Sequence, residues 1–284
     1  MNVNLQPKTP PTYDEWLARA TNTLRQAGIE SARLDAELIL AHTLRHARTY
    51  LHAHGDHPLD DRREQIANAR IELRLNRTPV AYIIGHKEFY GRRFTTTPAA
   101  LIPRPETEVM IELLKEIIPQ NLSLLPKPLS IIDVGTGTGC IGITVKKEWP
   151  ECDVTCTDTS NHALSLAKEN ATRLVADVQF MKADLLHGYI LDADIILANL
   201  PYVDRSWTVS REINVEPEQA LYADDDGLAL INKLIQQAAT VLKTGGHLLL
   251  ESDVRQHNAV IAKAQENGFK HHRTEGLITW FTRP

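Results

Sequence analysis

Long apolar runs are missing from this sequence. No stretch approaches the roughly 18 consecutive apolar residues that a membrane-spanning helix needs. The N-terminus also lacks a basic segment followed by an apolar core, which is the pattern of a secretory signal. The chain has 284 residues, of which 43% are hydrophobic and 24% charged, and this suits one large domain plus a smaller one. We therefore expect a globular, cytoplasmic protein without a membrane partner.

Cysteine is scarce. The three cysteines, Cys140, Cys152 and Cys156, are odd in number and fall inside predicted helices or strands, which argues against a disulfide framework. The twelve histidines show no spacing with Cys, Asp or Glu that is typical of metal ligands. We therefore expect buried thiols and predict no metal site.

An excess of basic residues is also missing, since the formal net charge is -5. Non-specific binding of nucleic acid usually needs a basic excess, so we predict no direct contact with nucleic acid. Lys and Arg outnumber Asp and Glu within residues 1–104, whereas the acids predominate in residues 105–284. A solvated helical surface explains the basic first third better than a docking face for an acidic partner does.

Helical signals fill residues 12–77. Thr12 and Glu15 have the spacing of a capping box, and Gly28 lies where the first helix should end. Ser31 is predicted to cap a second helix, and residues 61–76 to form a third. The predicted apolar faces of the second and third helices are Leu34, Leu38 and Ile39, and Ile66, Ala69 and Leu73. We therefore predict a small helical bundle over residues 1–78.

A different pattern begins at Val80. Aromatic and β-branched residues are frequent up to Ile102, with Gly85 and Gly91 as interruptions, and this favours a β-hairpin linker over residues 79–102 rather than a helix. The following "IPRPETE" has two prolines that keep the backbone extended, and Pro105 is predicted to begin a helix.

After residue 129, short apolar strands alternate with helices. The strands are "SIIDV", "DVTCT", "VQFM", "ADIILA", "HLLLE" and two more at the C-terminus. This alternation predicts an α/β domain over residues 103–284, with a Rossmann-like, mostly parallel, seven-stranded sheet covered on both faces. Ligands of such sheets bind at the carboxyl ends of the strands, where every candidate site residue lies.

The first candidate is the glycine loop, Gly135-Thr136-Gly137-Thr138-Gly139, which directly follows "IIDV" and begins a helix. Glycine lets the backbone approach a ligand, and the free N–H groups at a helix start favour a polar or anionic group. A tight turn without a ligand would also use glycine, but three in five residues is more than a turn requires. We predict that this loop binds a cofactor.

Acidic residues follow the next two strands. Asp158 comes about 20 residues after the glycines, where a carboxylate accepts hydrogen bonds from ribose hydroxyls. The alternative is that Asp158 caps the next helix. Asp184 fits an acceptor for an adenine amino group, with the main-chain N–H of Leu185 beside it, and the alternative there is a loop cap.

These features admit a nicotinamide dinucleotide or S-adenosylmethionine. The G-x-G-x-G spacing is one residue short of the dinucleotide pattern, and no hydride-handling His or Tyr motif follows. The fourth strand decides for S-adenosylmethionine, because it ends in Asn199-Leu200-Pro201-Tyr202. These residues supply a side-chain carbonyl, two main-chain carbonyls and an aromatic face, which suit a planar nitrogen substrate.

The nitrogen of an amide or exocyclic amino group is a poor nucleophile because its lone pair is delocalised. Asn199 Oδ1 and the Leu200 carbonyl can accept from both of its N–H groups and so build electron density on nitrogen. Tyr202 can stack on the amide or base plane, while the sheet holds the nitrogen in line with the sulfonium methyl. We predict that Asn199, Leu200, Pro201 and Tyr202 are catalytic, with a plain β-turn as the alternative.

Several further motifs occur in a characteristic order: "EFYGRRF", "LIPRPETE", "DVGTGTG" and the Asn-x-Pro-Tyr strand end, behind a helical N-terminal domain. In this order they resemble the protein-(glutamine-N5) methyltransferases that modify class 1 peptide chain release factors. "EPEQAL", "DDDGL", "LKTGGHLLLE" and Gln256 are similar to later segments of that family. The resemblance spans nearly the whole chain.

The resemblance implies methylation of the glutamine in the Gly-Gly-Gln motif of a release factor, with S-adenosylhomocysteine as the second product. It implies a monomer whose helical domain and hairpin help to grip the release factor, with Phe94 and Arg104 on the substrate side. The cofactor contacts that it implies are the Gly135 to Gly139 loop, Asp158, Asp184, Leu185 and Asn199.

One position departs from the family's usual Asn-Pro-Pro-Tyr, because Leu200 replaces the first proline. Leu200 keeps its main-chain carbonyl and loses only a φ restraint. The same Asn-Leu-Pro-Tyr is characteristic of ribosomal RNA adenine-N6 dimethyltransferases, which usually have the opposite domain order. The sequence is also compatible with a DNA adenine methyltransferase or with a non-catalytic S-adenosylmethionine-binding protein.

Overall fold

The computed structural model describes residues 10–118, 128–190 and 192–284. The chain divides into two compact units, Met1–Gly85 and His86–Pro284. Among the described residues, the first unit is built of helices, and the two sheets lie in the second unit. No helix in the described part of the chain is long and apolar enough to cross a membrane.

The helical unit contains five helices among its described residues. They are α1 (Tyr13–Gln26), α2 (Ala32–Leu44), α3 (Arg48–Ala53), α4 (Asp61–Leu75) and α5 (Val80–Ile84). The predicted capping box of α1 is confirmed: the main-chain N–H of Glu15 donates to Thr12 Oγ1 at 3.2 Å, and that of Thr12 to Glu15 Oε2 at 2.9 Å. Trp16, Leu24 and Leu40 lie in its core.

The predicted apolar faces of α2 and α4 are partly wrong. Leu34, Ile66 and Leu73 are exposed, whereas Asp35 and Arg74 are buried as an ion pair of 2.7 Å. Because each charge satisfies the other, the pair occupies positions that apolar residues were expected to fill. Ser31 is the N-cap residue of α2, as predicted, but its hydroxyl donates to Asp35 Oδ2 at 2.9 Å instead of accepting from a main-chain N–H of the helix.

Residues 80–84 form helix α5, so the prediction of a hairpin rather than a helix is wrong for this segment. Pro79 precedes the helix with its fixed φ, and Gly85 ends it with φ of +75°. The hairpin itself follows, as β1 (His86–Phe89) and β2 (Arg92–Thr95) in antiparallel register. Local β-branched composition therefore did not prevent one turn of helix from forming.

The main sheet has seven strands in the order β5-β4-β3-β6-β7-β9-β8. The strands are β3 (Ser130–Val134), β4 (Asp153–Asp158), β5 (Gln179–Lys182), β6 (Ala193–Ala198), β7 (Leu242–Glu251), β8 (Lys270–Glu275) and β9 (Ile278–Thr282). Only β9 pairs antiparallel with its neighbours, β7 and β8. The predicted Rossmann-like, mostly parallel, seven-stranded fold is confirmed.

Helices cover both faces of this sheet. They are α6 (Glu108–Ile117), α7 (Cys140–Glu148), α8 (Asn161–Leu174), α9 (Ala229–Val241) and α10 (His257–Glu266). Successive residues of β3 point to opposite faces, so Ile131 packs with α6 and α7 residues, and Ile132 with those of α9 and α10. Pro105 begins a short 3-10 helix, Pro105–Thr107, that leads into α6.

The connections of the sheet place its ligand site. From β3 the chain continues to β4 and β5 on one side, and then returns to β6 on the other side of β3. Val134 and Ala198, the last residues of β3 and β6, are register partners. The glycine loop and Asn199 therefore leave adjacent strands at the point where the strand order reverses, which is where such sheets bind ligands.

Candidate active site

The glycine loop needs glycine at three positions for its backbone. Gly135, Gly137 and Gly139 have φ of +72°, +55° and +81°, in the left-handed region that other residues rarely adopt. A Cβ on Gly135 would lie only 2.8 Å from Leu200 Cδ2. The G-x-G-x-G spacing therefore reflects the left-handed backbone at all three glycines. At Gly135 it also reflects the close approach of Leu200, which follows β6.

Asp133 supports the loop from beneath. Its carboxylate Oδ2 accepts from the Thr136 hydroxyl at 2.5 Å and from the main-chain N–H of Gly142 at 2.9 Å. Complete burial raises the pKa of Asp133 from 3.8 to about 6. Thr136 and Thr138 are buried, and Gly139 packs against α8, so these three residues support the loop without lining the cleft.

Asp158 joins the end of β4 to the glycine loop. Its Oδ2 accepts from the main-chain N–H of Gly137 at 3.0 Å, and its Oδ1 accepts from that of Ser160 at 2.8 Å. The cap of α8 is Ser160, whose hydroxyl accepts from the main-chain N–H of Ala163. The capping alternative for Asp158 is therefore wrong. Its carboxylate lines the cleft.

Asp184 and Leu185 form a second wall of the same cleft. The Asp184 carboxylate pairs with Lys233 Nζ at 2.5 Å, and both side chains are about half exposed. Leu185 is buried with φ of +57°, which turns the chain after β5. Ala183, Leu200 and Leu230 extend an apolar surface between these residues and the loop. The cleft thus combines carboxylates at its edge with an apolar interior.

The Asn199-Leu200-Pro201-Tyr202 strand end closes the cleft. Asn199, Leu200 and Pro201 line it, and Leu200 is buried against the glycine loop. Asn199 Nδ2 donates to Thr107 Oγ1 at 3.0 Å, which leaves Oδ1 as the other end of the amide. Tyr202 is outside the cleft lining, with its hydroxyl 3.3 Å from Glu251 Oε1.

Thr107 and Glu251 complete a buried network around Asn199. The Thr107 hydroxyl donates to Glu251 Oε2 at 2.7 Å, and both side chains are almost fully buried. Burial raises the pKa of Glu251 above its ordinary value, whereas the hydrogen bonds from Thr107, Tyr202 and Asn199 lower it. Burial, together with the charge of Glu251, raises the pKa of Tyr202, so its hydroxyl keeps its proton.

The backbone of Tyr202 is held from the other side. Gln256 Nε2 donates to the carbonyls of Tyr202 and Asp226, at 2.8 Å in both cases. Asp225, Asp226 and Gly227 all have positive φ, which is rare for consecutive residues. A Cβ on Gly227 would lie 2.1 Å from the Tyr202 carbonyl oxygen. This left-handed turn allows the chain to pack directly against the strand end.

Arg104 and Phe94, the predicted substrate-side residues, do not line the cleft. Arg104 Nη2 pairs with Glu216 Oε1 at 2.5 Å, and Glu216 Oε2 accepts from the main-chain N–H of Ile102 at 3.1 Å. The Phe94 ring is fully buried and packs edge-to-face on Phe89. Both side chains therefore have partners inside the protein. Arg104 pairs with the buried carboxylate of Glu216, and Phe94 packs in an aromatic core with Phe89. Ala99, Ala100 and Leu101 reach the cleft instead.

The residues that sequence reasoning missed are Thr107, Glu216 and Glu251. A signal existed for two of them: Thr107 lies inside "IPRPETE", and Glu251 ends a strand at the carboxyl edge of the sheet. Glu216 is distant in sequence from its partners, and its one signal is that it begins the family-like segment "EPEQAL". Within the described residues, no group of three or more His, Cys, Asp or Glu side chains is placed to hold a metal ion.

Comparisons with known proteins agree with this architecture. The family described as PrmC N-terminal domain matches residues 15–85, and the family described as Methyltransferase small domain matches residues 111–274. A crystal structure of the Thermus thermophilus 16S rRNA N2 G1207 methyltransferase, in complex with AdoMet and guanosine, aligns with a TM-score of 0.52 and 14% identity. It covers 70% of this chain and 50% of that chain, and the likeness shows the fold alone.

Curated relatives are similar over nearly their full length. The release factor glutamine methyltransferase of Deinococcus radiodurans is 38% identical over 257 residues, which is 89% of this chain and 90% of the relative. That of Salmonella typhimurium is 36% identical over 264 residues, or 90% of this chain and 91% of the relative. The chain therefore belongs to the family of release factor glutamine methyltransferases.

Proposed function

We propose that this chain transfers a methyl group from S-adenosylmethionine to the side-chain amide nitrogen, N5, of the glutamine in the Gly-Gly-Gln motif of class 1 peptide chain release factors. S-adenosylhomocysteine is the second product. The observation that carries the proposal is the orientation of Asn199: its NH₂ group is bound to Thr107, so Oδ1 is the amide end left to accept from a substrate beside the glycine loop.

The cleft residues fit S-adenosylmethionine. Gly135 and Gly137 leave room for a ligand against the loop backbone, and each carboxylate oxygen of Asp158 has a lone pair beyond the hydrogen bond it already accepts, which suits ribose hydroxyls. Asp184 and Leu185 flank an apolar surface that suits adenine. When bound, the cofactor supplies an electrophilic methyl group on a sulfonium sulfur.

The chain contributes orientation and hydrogen bonding to the reaction. Asn199 Oδ1 and the main-chain carbonyl of Leu200 accept the two N–H groups of the glutamine amide, which favours a pyramidal nitrogen with its lone pair directed at the methyl carbon. A C–N bond forms as the C–S bond breaks, and the nitrogen then releases one proton to water. Because both partners are held on adjacent strands, positioning supplies much of the rate acceleration.

Leu200 and Tyr202 shape the place where the glutamine rests. The Leu200 side chain is 4% exposed and fills the space beside Gly135, so its carbonyl stays in position without a second proline. Tyr202 is held at its hydroxyl by Glu251 and at its carbonyl by Gln256. Pro201 fixes the backbone between them, and the Tyr202 ring is proposed to stack on the amide plane from beside the cleft, since it does not line the cleft itself.

Residues 1–78 are proposed to dock the release factor and residues 103–284 to catalyse the transfer, with residues 79–102 as the linker between them. Residues 1–78 carry 11 Lys and Arg against 10 Asp and Glu, so the docking role rests on the family resemblance and not on the charge of this unit. Phe94 and Arg104 affect substrate binding only indirectly, because they hold in place the segments that they pack against or pair with. The proposal places a single chain in the cytoplasm with its release factor substrate.

Adenine-N6 methylation of ribosomal RNA or DNA and a non-catalytic binding role are not favoured. The relatives that are similar over nine-tenths of the chain carry the glutamine activity in their names. Asn199, Pro201 and Tyr202 are all present at the strand end, as an active enzyme requires.

The test is to supply labelled S-adenosylmethionine with, separately, a class 1 release factor, ribosomal RNA and DNA, and to map the label. We expect label on the Gly-Gly-Gln glutamine alone. A release factor with alanine at that glutamine is the matched substrate control and should stay unlabelled. Label on adenine would overturn the proposal in favour of a nucleic-acid substrate, and absence of transfer to all three would favour the binding role.

A further inference from the structure

We propose that Thr107 and Glu251 are positioning residues that fix the orientation of the Asn199 side-chain amide, so that its oxygen rather than its NH₂ group faces the substrate. This inference deepens the proposed function and rests on it. The three side chains come from distant parts of the sequence: the 3-10 helix before α6, the end of β7 and the end of β6.

The amide needs such a device because its two ends have nearly the same shape. Either the oxygen or the NH₂ group of an asparagine fits the same space, so its hydrogen-bond partners decide which end points where. A flipped Asn199 would present N–H groups to the N–H groups of the substrate glutamine. The flipped orientation would therefore repel the substrate nitrogen instead of binding it.

The hydrogen bonds that Glu251 accepts from Thr107, Tyr202 and Asn199 favour its ionised form against the effect of burial. An ionised carboxylate only accepts hydrogen bonds, so Glu251 sets the direction of the network. The Thr107 hydroxyl, 2.7 Å from Glu251 Oε2, must therefore donate its single hydrogen to that oxygen. The remaining lone pairs of Thr107 Oγ1 can only accept, and the group 3.0 Å away is Asn199 Nδ2. Glu251 thus fixes the orientation of the Asn199 amide through the Thr107 hydroxyl and by its own interaction with the Asn199 side chain.

The surroundings leave the network few other arrangements. Thr107 and Glu251 are each 1% exposed, so water does not compete for their hydrogen bonds. The other oxygen of Glu251 faces the hydroxyl of Tyr202, a donor that keeps its proton. Both carboxylate oxygens are therefore accepting from residues that belong to, or directly hold, the catalytic strand end.

The test compares Thr107→Val, which keeps the shape and removes the hydroxyl, with Thr107→Ser, which keeps the hydroxyl. Thr144→Val is the matched control, because Thr144 is fully buried in the same unit and its hydroxyl has no hydrogen-bond partner within the described residues. We expect Thr107→Val to lower kcat by roughly 10-fold or more. KM for the release factor and Kd for S-adenosylmethionine should change by less than about 3-fold.

Thr107→Ser should retain most of kcat, and Thr144→Val should match the unmodified chain. Equal kcat for Thr107→Val and Thr107→Ser would overturn the proposal. A parallel loss of kcat, cofactor affinity and thermal stability in Thr107→Val would also overturn it, because that pattern indicates that Thr107 only stabilises the fold. Glu251→Gln can present either end to Thr107, so its kcat should lie between those of the two Thr107 variants.

A second measurement separates this proposal from the proposed function. The side-chain ¹⁵N–H₂ resonances of Asn199, identified by their loss in Asn199→Ala, report the amide directly without a substrate. We expect one protected pair of resonances in the unmodified chain and in Thr107→Ser, and a shifted, faster-exchanging pair in Thr107→Val. Unchanged resonances in Thr107→Val would overturn the positioning role, whereas absence of methyl transfer with the expected resonances would overturn only the function.

Discussion

The carboxylate of Asp158 accepts a hydrogen bond of 3.0 Å from the main-chain N–H of Gly137, so the residue predicted to bind ribose also anchors the glycine loop. Loss of this carboxylate should therefore weaken cofactor binding in two ways. The cofactor loses an acceptor, and the loop that faces it loses the bond that sets its conformation.

Asp158→Ala should weaken S-adenosylmethionine binding by roughly 10- to 100-fold, since hydrogen bonds to a charged group are stronger than neutral ones. Titration calorimetry measures this affinity. Asp158→Asn keeps one acceptor oxygen and should fall between the unmodified chain and Asp158→Ala. Normal affinity in the alanine variant would show that neither contact matters for the cofactor.

Asn199→Ala should reduce kcat by about 100-fold or more, because it removes an acceptor that strengthens in the transition state. The Kd for S-adenosylmethionine should change much less, since Asp158 and the glycine loop remain. Single-turnover methylation of a release factor measures the chemical step. Asn267→Ala, at the end of α10, removes an amide far from the cleft lining and is the control. A kcat within a factor of two of the unmodified chain would contradict the acceptor role.

The Arg104–Glu216 pair predicts that Arg104→Met and Glu216→Gln have the same effect. Both changes release the segment that carries Ala99, Ala100 and Leu101 to the cleft, so each should raise the Kd for the cofactor several-fold. The double variant should be no worse than either single one, because both remove one interaction. An Arg104 that contacts the release factor directly would instead raise KM for that substrate alone, and Glu216→Gln would not reproduce it.

Gly227→Ala should be far more costly than Gly245→Ala. Both glycines have φ near +80°, so both alanine variants carry the same left-handed strain of about 1 kcal/mol. Only at Gly227 would the new Cβ collide with the Tyr202 carbonyl oxygen, whereas nothing lies within 4 Å at Gly245. We expect Gly227→Ala to lower the free energy of unfolding in urea by about 2 kcal/mol more than Gly245→Ala does. Equal losses would mean that the turn moves away from Tyr202 without difficulty.

Asp133 predicts a pH dependence of stability. Its pKa is about 6 in the folded protein against an ordinary value of 3.8, so the folded state binds this proton more tightly than the unfolded state. The stabilisation is complete below the ordinary pKa and is lost as the pH rises through about 6, with a total on the order of 3 kcal/mol. Asp133→Asn does not titrate, so its unfolding free energy should fall less between pH 4 and 6.5. Parallel curves for the two proteins would contradict the raised pKa.

The sequence predicts those parts of the site whose geometry is local. The Gly135 to Gly139 loop and the Asn199 strand end each follow directly from an apolar strand, so their place at one edge of the sheet can be inferred from strand order alone. Strands β3, β6 and the second half of β7 are recognisable for the same reason, because their apolar runs report burial on both faces.

The parts that escape prediction depend on distant partners. Thr107 and Glu251 are 144 residues apart, and nothing in either neighbourhood shows that they share a hydrogen bond. The sequence suggests a substrate-side role for Arg104 because its buried partner, Glu216, cannot be recognised from 112 residues away. The outward position of Leu34 and Leu73 has a similar cause, since the buried Asp35–Arg74 pair occupies the interior that periodicity reserves for apolar side chains.

The pairing of Val134 with Ala198 has a consequence for how enzymes of this architecture diverge. The glycine loop and Asn199, which we propose to hold the methyl donor and the substrate amide, are the next residues after two strands that lie about 4.8 Å apart. Their separation is therefore set by main-chain pairing and not by any surface segment. Peripheral helices and hairpins can therefore be exchanged or lengthened to recognise other macromolecules. The distance over which the methyl group is transferred stays constant.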